Sequence, residues 1–336
     1  PKAMALCCRR TGPPTRWLSR ALSTVVFDRD TKRVHRDRAA LSGEYETFSY
    51  LREEVTARLL ERLDDVHHSY TFKDVIDLGS GSGHARRALS GRGLGIETLL
   101  EIDESAEMLR LSEAEQAGRA ESDFEVSRLH MSEELPDLAP GSADLLCTSM
   151  ALHWINDLPG TLKTARRALR PNGLFLGAFL GGETLAEMRS SFVLADLERR
   201  GGVTQHMSPL VSVADAGALL QAAGFALPTV DTEIVRVGFP DAWTLWHHLR
   251  WMGESNSTVQ RSRSDLDTLL AAAAIHGEIY ADEDGAIPAS FQVIYMIGWA
   301  PHESQQRPLQ RGSGQVSLKE LGLDFAPPEA PAPGPL

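Results

Sequence analysis

The stretch Val75–Leu89, VIDLGSGSGHARRAL, constrains this chain more than any other. A short apolar run leads into three alternating glycines, Gly79, Gly81 and Gly83, and a helix-forming segment follows at once. Glycine at alternate positions strips the Cβ atoms from a strand-to-helix turn, which permits positive φ and close approach of another group. The helix that follows begins with unpaired N–H groups, which suit a polar or anionic ligand. In an open α/β sheet such a turn stands at the carboxyl ends of the strands, where ligands settle.

The neighbouring segments fit that frame. Strand candidates occupy 73–79, 97–102, 124–129, 143–148 and 173–179, with helical stretches between most of them. This alternation predicts an α/β, doubly wound (Rossmann-like) parallel sheet. Ahead of it, Leu51, Val55, Leu59 and Leu63 recur at helical spacing within 48–63. Past about Glu183 the spacing predicts helices over 184–200 and 212–223, the second opening on a Ser cap and closing at Gly224. A strand at 229–239, helices at 241–253 and 265–280, and a last strand at 290–300 follow. The two late strands extend the sheet, and helical insertions of about 183–285 cap its ligand edge. The resulting division is a leader, 1–26; an N-terminal helical segment, 27–72; the sheet domain with its cap, 73–300; and a C-terminal extension, 301–336, with a Pro/Ala-rich tail expected to be disordered.

Charge narrows the partners. The chain carries a net charge of −12, yet residues 1–27 hold Lys2, Arg9, Arg10, Arg16 and Arg20 and no acid. So acidic a body repels phosphate backbones and excludes nucleic acid, whereas a small molecule or a basic protein fits. The leader is Arg-rich, contains Ser and Thr and lacks a long apolar block, the composition of a mitochondrial or plastid transit peptide. No apolar stretch reaches the ~20 residues of a membrane-spanning helix. Cys147, in DLLCTS, reads as a small buried hydrophobe.

Which ligand the turn serves depends on spacing. A dinucleotide fingerprint, G-x-G-x-x-G, fails, because its last position falls on His84 or Arg86. The pattern present, Asp77 through Gly83, is D-x-G-x-G-x-G, and Asp103 ends the second strand candidate, placed to accept both hydroxyls of a ribose. With Met108 in DESAEML and the run ALRPNGLFL at 168–176, this resembles the class I S-adenosylmethionine (SAM) methyltransferases. The resemblance implies their seven-stranded sheet and SAM as cofactor, held by Asp77, Gly79, Ser80, Gly81, Gly83 and Asp103. Many members place an acid after the third strand. Here the run HMSEELP has Met131 at that position, which leaves the main-chain N–H of Ser132 for the adenine.

Longer segments narrow the family. FDRDTKRVHRDRAA, ALHWINDLPGTL, LRWMGESNS, 270–308 and RGSGQVSLKELG closely resemble the arginine-hydroxylase family of mitochondrial complex I assembly factors, over about Phe27 to Gly322. That resemblance implies an enzyme that hydroxylates an arginine of the iron–sulfur subunit of complex I, early in assembly, in the mitochondrial matrix at the inner-membrane face. The residue patterns alone point instead to methyl transfer. SVADAGALLQAAGF and LRWMGESNS also resemble malonyl-carrier-protein O-methyltransferases, so methyl transfer to a free carboxyl group is the alternative. A non-catalytic assembly factor that keeps the fold is a third reading.

The candidates for the chemistry are few. His153 and Trp154 follow the fourth strand, where substrates approach, although a packing role suits both equally. A guanidinium wants a carboxylate, and Glu183 and Glu254 fall in the capping region, against a plain reading as solvated helix-end acids. No metal site is expected: His35–Arg36–Asp37 has facial-triad spacing only if locally extended. His67–His68 and His247–His248 read as surface pairs, and QHMSP at 205–209 as packing.

Overall fold

The computed structural model describes residues 25–66, 70–118, 123–261, 263–306 and 313. Residues 1–24 of the leader, His67–His68 and the Pro/Ala tail lie outside the described residues. Everything below concerns the first of two compact units, residues 1–301, the second being 302–336.

Seven strands form one sheet: β1 (Asp74–Leu78), β2 (Thr98–Asp103), β3 (Glu125–His130), β4 (Ala143–Ser149), β5 (Leu169–Leu180), β6 (Ala226–Phe239) and β7 (Ile287–Trp299). Their order is β3-β2-β1-β4-β5-β7-β6, with β1 to β5 parallel and β7 antiparallel to both neighbours. The chain therefore reverses direction across the sheet between β1 and β4, and the carboxyl ends of these two strands form the crevice where such folds bind ligands.

The helices are α1 (Arg29–Ala40), α2 (Tyr45–Phe48), α3 (Tyr50–Glu61), α4 (His84–Leu89), α5 (Ala106–Ala117), α6 (Leu158–Ala168), α7 (Ala186–Arg200), α8 (Val213–Ala223), α9 (Ala242–Trp251) and α10 (Leu266–Tyr280). Alternation along the strands splits the core into two faces. Val75, Leu145, Leu174, Leu176 and Tyr295 meet α3, α7, α9 and α10, whereas Ile76, Leu146, Phe175, Phe179 and Ile294 meet α6 and α8. The capping span read at 183–285 is thus discontinuous. Its α7, α9 and α10 lie on one face, α8 lies on the other, and β6 is a sheet strand.

Local chemistry explains the boundaries. The Ser212 hydroxyl accepts from Asp215 N at the start of α8, and Gly224 ends that helix in the left-handed region. Asp157, Asp241 and Asp265 cap α6, α9 and α10 in the same way. The segment from Phe27, within the helical span read over 27–72, forms α1 after the Asp28 cap. His35 and Asp37 therefore diverge on a helix, and among the described residues no group of three His, Cys, Asp or Glu side chains stands together to hold a metal ion. His247 is exposed, but His248, expected at the surface, is half-buried against Phe48, Tyr50 and Phe239 because α9 turns that side to the core. No described helix is long and apolar enough to cross a membrane.

Candidate active site

The turn after β1 is fastened from below. Gly79 N and Ser80 N donate to Ile102 O at 2.8 and 3.0 Å, tying the turn to the end of β2. Asp103, the last residue of β2, is fully buried. Its Oδ2 accepts Gly81 N at 2.8 Å and its Oδ1 accepts Ser105 N at 2.8 Å. The three glycines have φ of +80°, +59° and +84°, which L side chains rarely adopt. Asp77 lies beneath them, and burial, helped by the nearby Glu101 charge, pushes its carboxyl up to about 8. Asp77 Oδ2, Ser80 Oγ and Thr148 Oγ1 are buried with no hydrogen-bond partner. Unsatisfied buried polar atoms gathered around bare main chain are what a site for a polar ligand requires.

Three arginines close over this cradle. Arg52 of α3 donates to the carbonyls of Gly79, Ser149 and Met150 at 3.3, 3.0 and 2.9 Å, tying the loops after β1 and β4 together. Arg36 of α1 donates to Asp103 Oδ2 at 2.5 Å and to Glu133 Oε1 at 2.9 Å. Arg29 reaches Glu104 at 2.5 Å and also Glu133. Glu133 is the acid missed in the sequence. Its carboxylate accepts Glu104 N at 3.2 Å, and its Cγ methylene would lie 3.5 Å from a Cβ on Gly79. It stands two residues past Met131, so a register read from one motif position overlooked it. Met131 itself is half-buried and packs against the α6–α8 side of the core, while Ser132 Oγ accepts Glu134 N at 3.2 Å.

A second cavity, of about 270 Å³, opens beside the first. Its walls are largely apolar, including Met188, Phe192, Trp246 and Leu249, and its polar inner end is formed by His153 and Glu254. Glu254 Oε2 accepts Trp154 Nε1 at 2.7 Å, His153 Nε2 at 3.1 Å and Lys32 Nζ at 3.1 Å. Among the described residues, Oε1 has only Arg52 Nη2 near it, at 3.9 Å. Burial alone would raise the Glu254 carboxyl, but the Lys32 charge and the His153 hydrogen bond outweigh it and hold it well below the usual carboxylate range. Burial also pushes His153 down, so it is a neutral imidazole that gives Glu254 its Nε2 proton. The structure thus brings His153 and Glu254 together and leaves Glu183 out. Glu183 is exposed and only its main-chain N–H is engaged, with Gln292 Oε1 at 3.0 Å.

The architecture matches known proteins. Residues 76–177 fit a family model described as a methyltransferase domain. The YcgJ protein of Bacillus subtilis superposes with a TM-score of 0.52 at 14% identity, over 74% of this chain and 98% of that one, a likeness of fold alone. The mitochondrial arginine-hydroxylase NDUFAF5 of Danio rerio is 43% identical over 297 residues, 88% of this chain and 89% of the relative. The chain belongs to the arginine-hydroxylase NDUFAF5 family. Within that family the human protein, also named mitochondrial, is 41% identical over 298 residues, 88% of this chain and 83% of its own length. A malonyl-[acyl-carrier protein] O-methyltransferase of Laribacter hongkongensis is more distant, 32% identical over 296 residues, 86% of this chain and 96% of that one.

Proposed function

We propose that this chain hydroxylates an arginine side chain of a protein substrate, with dioxygen as oxidant and an external two-electron donor, one oxygen atom entering the arginine and the other leaving as water; the arginine enters the 270 Å³ chamber and its guanidinium pairs with Glu254. One observation carries the reading beyond family membership. Among the described residues, the ionisable side chains lining the chamber are His153, His206 and Glu254, so a guanidinium finds a carboxylate there, while the nearby cations Lys32 and Arg52 stand behind that carboxylate and do not line the chamber. That disfavours a malonyl-type acceptor, which would face the Glu254 charge. The apolar walls exclude water and take the methylene stem of the arginine. His153 fixes one carboxylate oxygen and leaves the other for the substrate.

The second ligand proposed is SAM, seated at the glycine turn. The groups present fit it: Asp103 to accept from the ribose hydroxyls, Gly81 with no side chain toward the cleft, Ser80 and Asp77 with orphaned oxygens, and the Ser132 N–H to donate at the adenine end. When bound, SAM supplies an electrophilic sulfonium methyl group. With α1 seated, Arg36 holds the Asp103 oxygen that a ribose hydroxyl would use, and the cavity left between α1 and the loops after β2, β3 and β4 is about 10 Å³, too small for a nucleoside. We further propose, in keeping with the resemblance of the chain, that the substrate is the iron–sulfur subunit of complex I and that the site of action is the mitochondrial matrix at the inner-membrane face.

The test is the intact mass of that subunit made with and without this protein. A gain of one oxygen is expected, and a gain of one methyl, or no change, would refute the reading. Glu254→Gln should lower kcat/KM for the arginine substrate on the order of 10–100-fold, the loss of one charge-assisted pair.

A further inference from the structure

Helix α1 is held down by charge rather than by apolar burial. Its buried residues are Lys32, Arg36 and Ala39, while Val34 and Leu41 are exposed. Arg29, Lys32 and Arg36 recur at helical spacing, so they share one face, and each sits on a carboxylate. Two of those carboxylates are the groups on which the proposed function rests. Arg36 takes the same Asp103 oxygen that accepts the Gly81 N–H, and the cavity left between α1, Arg52 and the loops after β2, β3 and β4 is about 10 Å³, room for about one water. Lys32 Nζ sits in a box made by the Gly253 carbonyl at 2.7 Å, Glu254 Oε2 at 3.1 Å and the Trp154 ring, whose centroid is 3.6 Å away. A carbonyl, a carboxylate and an aromatic face are the groups that recognise an organic cation.

We propose that α1 is an internal strap that answers both ligand sites with its own cations, Arg36 standing where an adenosyl ligand meets Asp103 and Lys32 pairing, through Oε2, the Glu254 charge that the substrate guanidinium would meet at Oε1. The proposal rests on the reading of Asp103 and Glu254 given above. Cofactor and substrate displace the same helix, so each lowers the cost of binding the other, and the two bindings are positively coupled. The anchors of the strap lie outside it. Phe27 is pinned by a bridge to Thr258 and by Asn156, which accepts Phe27 N at 2.8 Å, and Tyr45 is buried beyond the far end. Between them, Gly43 has φ +73° and no atom within 4 Å of where its Cβ would stand, so the turn after α1 has room to change course. Burial also pushes the Lys32 ammonium down to about 7 against the pull of Glu254, so burial works against the charge that this contact needs.

Calorimetry with S-adenosylhomocysteine tests the strap. Lys32→Met removes a strap contact without touching Asp103, and it should bind the probe on the order of tenfold more tightly than the wild type. Arg36→Gln should do the same, and Asp103→Ala should bind more weakly. If Asp103→Ala binds like the wild type, the assignment of the cleft fails and the strap with it. If Asp103→Ala weakens binding while Lys32→Met and Arg36→Gln bind no better than the wild type, the cleft stands and the strap is wrong. Hydrogen exchange on the unaltered protein covers variants that fail to fold. A lifted 12-residue helix is marginal in water, so the probe should speed exchange of the amides of 32–40. Unchanged or slower exchange there overturns the proposal.

Discussion

Gly79, Gly81 and Gly83 share a positive φ but not a role. A Cβ on Gly79 would lie 2.4 Å from the Ala151 Cβ, and one on Gly83 would meet Ser112 Oγ, Arg86 Nη2 and Glu101 Oε1 at 2.7–2.8 Å. Both are glycine because the protein packs against them. Gly81 alone turns its bare side to the cleft, where the nearest atoms are the Arg52 and Arg36 guanidinium ends, at 3.6 and 3.8 Å. Gly83→Ala should therefore cost ~3 kcal/mol in urea unfolding, from overpacking plus backbone strain, and Gly81→Ala only ~1 kcal/mol, from strain. Equal losses would contradict this division. Asp77 offers a second check at this scale. Its carboxyl, pushed up to about 8, lies above the 3.8 of an unperturbed aspartate, so the folded chain holds the proton more tightly and stability falls as pH rises between those values. Asp77→Asn should flatten that decline and raise the urea midpoint at about pH 8, by an amount on the order of a few kcal/mol. A variant that declines as steeply as the wild type would show that Asp77 ionises freely.

Among the elements, α3 does more than its amphipathic pattern indicates. Leu51, Val55 and Leu59 pack as the helical spacing predicts, but Arg52, on the same turn, is also buried and satisfies three loop carbonyls. Arg52→Ala should cost ~3 kcal/mol, because it leaves those buried carbonyls unpaired, and Arg52→Lys should recover only part of that, since an ammonium cannot reproduce the planar fork. Full recovery by lysine in thermal unfolding would show that charge alone matters. The strands and most helices were legible from periodicity because each buries one face. Helix α1 fell inside the helical segment read over 27–72 without bounds of its own, because Ala39 apart its buried side chains are the cations Lys32 and Arg36, which hydrophobic periodicity does not register.

At the scale of the molecule, the cap and the sheet share a core. Phe192 of α7, Leu245 and Leu249 of α9 and Ala272 of α10 belong to the same buried cluster as Leu174 and Tyr295 of the sheet. The capping helices should therefore not melt separately. Calorimetry of residues 25–306 should show one transition, and an early transition confined to α7, α9 and α10 by hydrogen exchange would contradict this. The chamber owes its shape to the same sharing, because its walls come from α7, α9 and the sheet together.

The order of strands, the glycine turn, the acid one strand over and the membership in an arginine-hydroxylase family could all be read along the chain, because each is a local pattern of period, spacing or identity. The tertiary structure alone decided which charges meet. Glu254 is ringed by Lys32, His153 and Trp154, residues more than 90 positions away, while Glu183, equal to it as a carboxylate in the sequence, faces solvent. Burial and pairing are long-range properties. They depend on where the chain returns to itself, and no spacing of neighbouring residues encodes that.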